Sequence, residues 1–469
     1  MMSELKFPLV TPRDTKWADG LRGIAAVFVV SSHLTLGYAP HLKQPSRDEH
    51  TSPAFYNLPF VRVFSEGVPW VTIFLLLTGF VNALKPIKQA RAGRVDSALQ
   101  GLASSCFRRI SRLVLPCTVA SFFSWIIAEC GGYNLGTMVE NSWMNGTSPS
   151  PSGSVLGAVR TLLRAIYDTW VVANNGLDRN QWTMLWFLRG SMALYVTLLG
   201  TVRATPKYRM IIHSGLFLYS WTTCDTMVGL PIYGGALLAE LSMEPIIVKF
   251  STNKSILNRL IPYSVLLLGW YFCSYPKDHP EWQPWSNALW HAGMKIFPAG
   301  GEIHSLWPFV GILLVISAVV LSGPLQRFLS HPVFLWLGTQ SFPIYLIHGP
   351  LLRSFLNWML FAFTPPIWYQ KIDENRTAVV IFPRRPIPPL WKFLLCLPIF
   401  YAVLMALAHI WTLKIEPKCA SVSKWLEDTI CGVREELIYS QISLEEARRS
   451  GEQPGGILEI SPTGSLLPT

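Results

Sequence analysis

Charge is what this sequence has least of. Of its 469 residues only 14% are Asp, Glu, Lys or Arg, against about 25% in a typical soluble domain. Half the chain is hydrophobic, 50%, and the mean hydropathy is +0.32. A compact soluble domain has no interior large enough to hide that much apolar surface. Several chemical signatures are missing too. There is no Cys-x-x-Cys pair and no metal-ligand spacing, so no metal is expected. There is no His-Glu-x-x-His, Walker A or Rossmann fingerprint, which removes the readings those motifs carry. No Ser-His-Asp spacing compels a covalent intermediate. Residues 1–19 are polar, include Pro8 and Pro12, and lack the pattern of a cleavable signal peptide. The first apolar segment is then expected to act as a signal anchor.

What is present points to a membrane. Aromatic residues make up 13% of the chain, with 19 Trp, 15 Tyr and 25 Phe, as in proteins with interfacial aromatic anchors. A helix needs roughly 20 apolar residues to cross a bilayer. That criterion picks out 20–38, 65–84, 111–130, 182–201, 210–228, 231–249, 259–275, 303–322, 333–356 and 390–413. The expected fold is an all-α polytopic transmembrane bundle of about ten spans. Segments 155–174 and 285–300 are candidates for interfacial or re-entrant helices. Cys106, Cys117, Cys130, Cys224 and Cys273 lie in or beside apolar runs and read as small core hydrophobes.

The net charge of +11 is expected to face the cytosolic surface of a membrane rather than a nucleic acid, because the bases flank apolar runs. Lys85, Lys88, Arg91 and Arg94 follow the second span, and Arg108, Arg109 and Arg112 precede the third. Arg203, Lys207, Arg209, Lys249, Lys254 and Arg259 fall on the same side. Both termini are then cytosolic, with 131–181 and 276–302 on the lumenal side. Asn145 and Asn375 head glycosylation sequons on that side, whereas Asn253 falls on the cytosolic side. Arg384-Arg385 is the exception to the charge rule. Residues 1–19 are read as a cytosolic segment, 20–413 as the membrane domain, and 414–469 as a polar cytosolic tail. The tail has an amphipathic helix within 421–450 and a disordered end.

The chemistry-bearing stretch is DGLRGIAAVFVVSSH, residues 19–33. Eleven residues at 100° each make three turns and about 20°. Arg22 and His33 therefore share a helix face, about 16 Å apart along the axis. An ionisable group in a span is costly unless paired or wetted. Arg22 either snorkels to the surface or grips an anion at the cytosolic mouth. His33 is either a packed histidine or a general base, since a neutral imidazole is cheap to bury. Gly20, Gly23, Ala25 and Ala26 allow close helix packing. Asp225, in TTCDTMVG, is an acid inside an expected span and a site candidate by cost alone.

The stretch resembles the first-span signature of the acyltransferase-3 family of integral-membrane acyltransferases, in its fungal branch. Asp19, Gly20, Leu21, Arg22, Gly23 and His33 all match it. GVPWVTIFLLLTGF, 67–80, is similar to the family's second span, and FRRISRLVLP, 107–116, to its basic entry to the third. FPIYLIHGPLL, 342–352, resembles its late Tyr-Leu-x-His-x-Pro motif, through Tyr345, Leu346, His348 and Pro350. QWTMLWFLRGSMALY, 181–195, resembles a further segment through Trp182, Thr183, Arg189, Gly190, Ser191 and Tyr195. That segment departs from the family where Phe187 stands at the expected Glu. Asp178 or Glu66 is then the candidate substitute acid, and a catalytically dead protein is the alternative.

The resemblance implies acyl transfer from a cytosolic acyl-CoA, acetyl-CoA above all, to a hydroxylated small molecule or a glycan. His33 would act as base with Arg22 and His348, and Asp225 joins the catalytic candidates on cost alone. Arg22, Arg108, Arg109 and Arg112 would meet the donor phosphates. The expected location is a membrane of the endoplasmic reticulum or elsewhere in the secretory pathway. A non-enzymatic transporter or scaffold is the rival reading.

Overall fold

The computed structural model describes residues 15–253, 255–372 and 379–431, with only the backbone given over 370–382. Helices carry nearly all of it. They are α1 (Lys16–Tyr38), α2 (Val68–Arg91), α3 (Val95–Glu129), α4 (Val155–Val171), α5 (Met184–Thr201), α6 (Pro206–Thr222) and α7 (Gly229–Leu241). They continue as α8 (Ile256–Cys273), α9 (Pro284–Ile296), α10 (Ile303–Leu321), α11 (Pro332–Leu351), α12 (Leu390–Lys414) and α13 (Glu416–Ile430).

Each of the ten expected spans falls on a helix, but among the described residues seven helical segments are long and apolar enough to cross a membrane. The three that fall short do so for local reasons. Helix α6 has 17 residues. Helix α7 has 13, about 20 Å of helix against a hydrocarbon core of about 30 Å. The apolar run 231–249 is broken at 242–244 and restarts at Pro245, because the residue before a proline is driven out of the helical region. Helix α11 has 20 residues, diluted by Gln340, Pro343, His348 and Pro350. Past Leu351 it continues through a π-turn, Leu352–Leu356, into Asn357–Phe361.

Helix α3 is a single rod of 35 residues, about 52 Å long. The basic stretch at 107–112 is therefore helix, not loop, and only a turn at 92–94 separates it from α2. Among the described residues, the one sheet is an antiparallel hairpin, Ile367–Ile372 with Val379–Arg384, in which Ile367 faces Arg384. It explains the exceptional Arg384-Arg385 pair. Arg384 donates to the Thr137 carbonyl at 2.8 Å, and Arg385 to the Phe361 carbonyl at 2.9 Å. These arginines tie loops together rather than report topology.

Helix α4 is amphipathic, and Val155, Val159, Leu163, Tyr167 and Val171 recur every four residues on an exposed face. That is the pattern of a helix lying against lipid.

Small residues set the contacts that matter for the site. A Cβ on Gly23 would come 2.5 Å from the Gly338 nitrogen, and one on Gly338 would strike the Asp19 carbonyl. Helices α1 and α11 therefore touch backbone to backbone. They run parallel, since residue 23 meets 338 and, ten residues on, 33 meets 348. Gly79 and Gly235 bring α2 against α7 in the same way.

Candidate active site

The close approach of α1 and α11 puts two imidazoles in contact. His33 Nδ1 lies 3.0 Å from His348 Nε2, with the rings 5.0 Å apart between centroids. His348 Nδ1 lies 3.0 Å from the Ile344 carbonyl, one turn earlier on its own helix. A carbonyl only accepts, so that nitrogen carries the proton and Nε2 is the acceptor. Asn180 Nδ2, 3.2 Å away, donates to the same Nε2. For His33 to bond there, its Nδ1 must donate as well. The network thus assigns the proton to Nδ1 in both rings and leaves the lone pair on His33 Nε2. His348 is fully buried, His33 half-buried. The Trp143 ring stacks on His33 with centroids 5.6 Å apart.

Asn180 is held from every side. It belongs to a largely buried turn, 175–183, held by several internal hydrogen bonds. Tyr345 Oη donates to the Asn180 carbonyl at 2.8 Å and pairs with Thr183 Oγ1 at 2.7 Å. Asn175 accepts from the Leu177 and Asp178 amides, each at 2.9 Å. Asp178, fully buried, pairs at 2.6 Å with Arg353, also fully buried. Arg353 also donates to the Thr147 carbonyl at 3.2 Å and lies over the Tyr133 ring at 5.8 Å. Burial pushes the Tyr133 hydroxyl up to about 12, so it stays protonated and donates or accepts only as a neutral group. Gly349 is required here, because a side chain would collide with Asn180 and Asp178.

A cavity of about 470 Å³ opens at the basic end of the bundle. Arg22, Arg109, Arg112, Asn82 and Glu416 supply its polar lining; Phe74, Leu77, Met184, Phe187 and Tyr345 supply its apolar lining. Arg22 pairs with Asp19, yet among the described residues its buried Nε finds no hydrogen-bond partner, and neither does Asn82 Nδ2. Arg109 donates to Ser191 Oγ at 2.9 Å. Neither histidine lines the cavity. Tyr345 lies between, lining the cavity while its ring centroid sits 5.8 Å from that of His348.

Three sequence expectations change. Asp225 is not within a span and not near the histidines. It occupies the turn after α6, where its two oxygens accept from the Val228 and Gly229 amides at 2.9 and 2.8 Å and cap α7. Arg108 does not reach the cavity, because Glu427 of α13 engages it at 2.7 Å. Glu66 pairs with buried Arg62 at 2.7 Å, and Arg62 is tied to loop carbonyls. The pair staples a loop and supplies no base to the histidines. Phe187 lines the cavity, while the acid near His348 is Asp178, reached through Asn180. Asn145 donates to the Thr137 carbonyl from within a short helix, and Asn375 lies outside the described residues.

Sequence reasoning passed over Asn180, Trp143 and Arg353. Arg353 did leave a signal, being a charge inside an expected span. Asn180 and Trp143 left none, since both sit in polar connecting segments.

A family profile described as an acyltransferase domain matches residues 15–408. The chain is 26% identical over 380 residues to O-acetyltransferase PaAT-1 of Phomopsis amygdali, covering 72% of each chain. It is 24% identical over 430 residues to acyltransferase clz18 of Cochliobolus lunatus, covering 78% of this chain and 88% of that one. It is 24% identical over 406 residues to acyltransferase R4 of a Phoma species, covering 73% and 84%. No solved structure matches.

Proposed function

Because the chain belongs to the acyltransferase-3 family and is an acyltransferase, we propose that it moves an acetyl group from acetyl-CoA to the hydroxyl of a small molecule. One observation carries this reading. The arginine-lined cavity is also lined by Tyr345, whose ring meets His348 edge-on, and His348 in turn contacts His33. The printed name of the Phomopsis relative supports acetyl as the group transferred.

The donor enters from the cytosol. Its phosphates meet Arg22, Arg109 and Arg112, whose guanidinium geometry suits phosphate oxygens. Asn82 Nδ2 and Arg22 Nε, both without partners among the described residues, stand ready for its polar groups. The thioester then points to the apolar end.

His33 Nε2 takes the proton of the acceptor hydroxyl as its oxygen attacks the thioester carbonyl carbon. The developing imidazolium is stabilised because its Nδ1–H already donates to His348. The tetrahedral adduct collapses, the carbon–sulfur bond breaks, and the coenzyme A thiolate takes the proton back from Nε2. Neither enzyme group is consumed. Asn180, Asp178 and Arg353 position the pair without touching substrate.

The same reading places all ten helices across the membrane with both termini in the cytosol, and the parallel run of α1 and α11 supports it. The membrane domain is then 20–413, with short cytosolic segments on either side, in the endoplasmic reticulum or another secretory-pathway membrane. The acceptor is a hydroxylated product of secondary metabolism. The test is purified protein with radiolabelled acetyl-CoA and a panel of terpenoid, polyketide and glycan alcohols. Label on a small alcohol is expected. Label on glycans alone would replace the acceptor class, and none on any alcohol would overturn the reaction.

A further inference from the structure

Aromatic rings line the cavity, and neither histidine does. Phe187 of α5 meets Phe74 of α2 edge-on, 6.5 Å between centroids, and Phe74 meets Tyr345 of α11 at 6.1 Å. All three rings line the cavity. Tyr345 is fixed, since its hydroxyl is bonded to both the Asn180 carbonyl and Thr183. Phe74 and Phe187 are held by packing alone. Met184 lies one turn before Phe187 on the same face of α5 and lines the wall beside it. Arg109 is bonded to Ser191, one turn along α5 from Phe187, and marks the basic side of the cavity. A thioester held there by its phosphates presents its acyl chain to this aromatic wall.

We propose that Phe187 sets the length of the acyl chain, closing the donor cavity so that acetyl and other very short chains fit and medium chains do not. The proposal rests on the acyl-CoA donor reading. The physical ground is overpacking. Extra methylenes would have to displace rings already in mutual contact. A single methylene in an apolar pocket changes discrimination by roughly 10- to 200-fold.

The test uses the full chain in detergent, as wild type, Phe187→Ala and Phe187→Leu, each checked by size exclusion. Radiolabelled coenzyme A is displaced by unlabelled coenzyme A, acetyl-CoA, butyryl-CoA, hexanoyl-CoA and octanoyl-CoA. In wild type, affinity relative to coenzyme A is expected to fall with chain length. In Phe187→Ala the hexanoyl-to-acetyl affinity ratio is expected to rise about 10-fold or more, with Phe187→Leu in between. An unchanged ratio in both variants overturns the proposal, as does wild type binding octanoyl-CoA as tightly as acetyl-CoA. The ladder needs no turnover, so a protein that sorts chains by Phe187 yet transfers nothing tells against the reaction and not against the wall. Wild type that binds no coenzyme A overturns the donor reading and this proposal together.

Discussion

Removing Arg353 is the perturbation that probes the site's support most sharply. Arg353 and Asp178 are both fully buried and 2.6 Å apart. At about 4 Å between charge centres and an effective dielectric near 20, their attraction is about 4 kcal/mol. Truncating one partner strands the other charge, and such losses run to about 3–5 kcal/mol. Arg353→Met and Asp178→Leu are each expected to cost about that much. The double variant removes both charges and is expected to recover most of the loss, to within about 1–2 kcal/mol of wild type. Reversible unfolding in mixed detergent–SDS micelles, followed by tryptophan fluorescence, measures all three. Activity should behave differently. Asp178 begins the turn that presents Asn180 to His348, so acyl transfer stays low in the double variant although stability returns. Additive single losses, or singles below about 1 kcal/mol, would show that the pair is not the buried, mutually dependent support described here.

Other consequences are more local. Arg112→Ala should raise KM for acetyl-CoA about 10-fold or more, as expected for a charged hydrogen bond lost, with kcat changed far less; steady-state kinetics decide it. Arg108→Ala should leave that KM within about twofold and cost at most about 1 kcal/mol of stability, since the Arg108–Glu427 pair is part-exposed. A large KM effect would return Arg108 to the donor site. Gly338→Val should cost about 1–3 kcal/mol and nearly all turnover, because the new side chain meets the Asp19 backbone and parts α1 from α11. Normal activity in that variant would mean the 3.0 Å imidazole contact is not needed.

The helical phase of Arg22 and His33 was legible because it depends only on 3.6-residue periodicity, and α1 contains both. The small residues at 20 and 23 announced a close helix contact, though not its partner. Gly20 meets Leu329 and Gly23 meets Gly338, more than 300 residues away, and no local pattern encodes such a distance. The basic run at 108–112 was legible as a group, but its division was not. Arg109 and Arg112 face the cavity, while Arg108 is claimed by an acid 319 residues on. Asp225 misled because cost alone was taken as a functional signal, whereas a carboxylate at a helix start is satisfied by two amides. The missing acid at Phe187 pointed to a replacement, and Asp178 lies in the right network. Its partner Arg353 stood unremarked within an apolar run. Hydropathy is continuous where the backbone turns, as at 242–244, so the break in that run was not legible.

The central claim is that His33 Nε2 removes the acceptor proton while His348, fixed by Asn180, holds its other nitrogen. The most direct measurement is single-turnover acetyl transfer by His33→Ala, with coenzyme A binding measured on the same preparation. The account predicts a fall of about 10²- to 10⁴-fold in the transfer rate with binding essentially kept, since His33 does not line the donor cavity. Transfer at the wild-type rate by His33→Ala would contradict it.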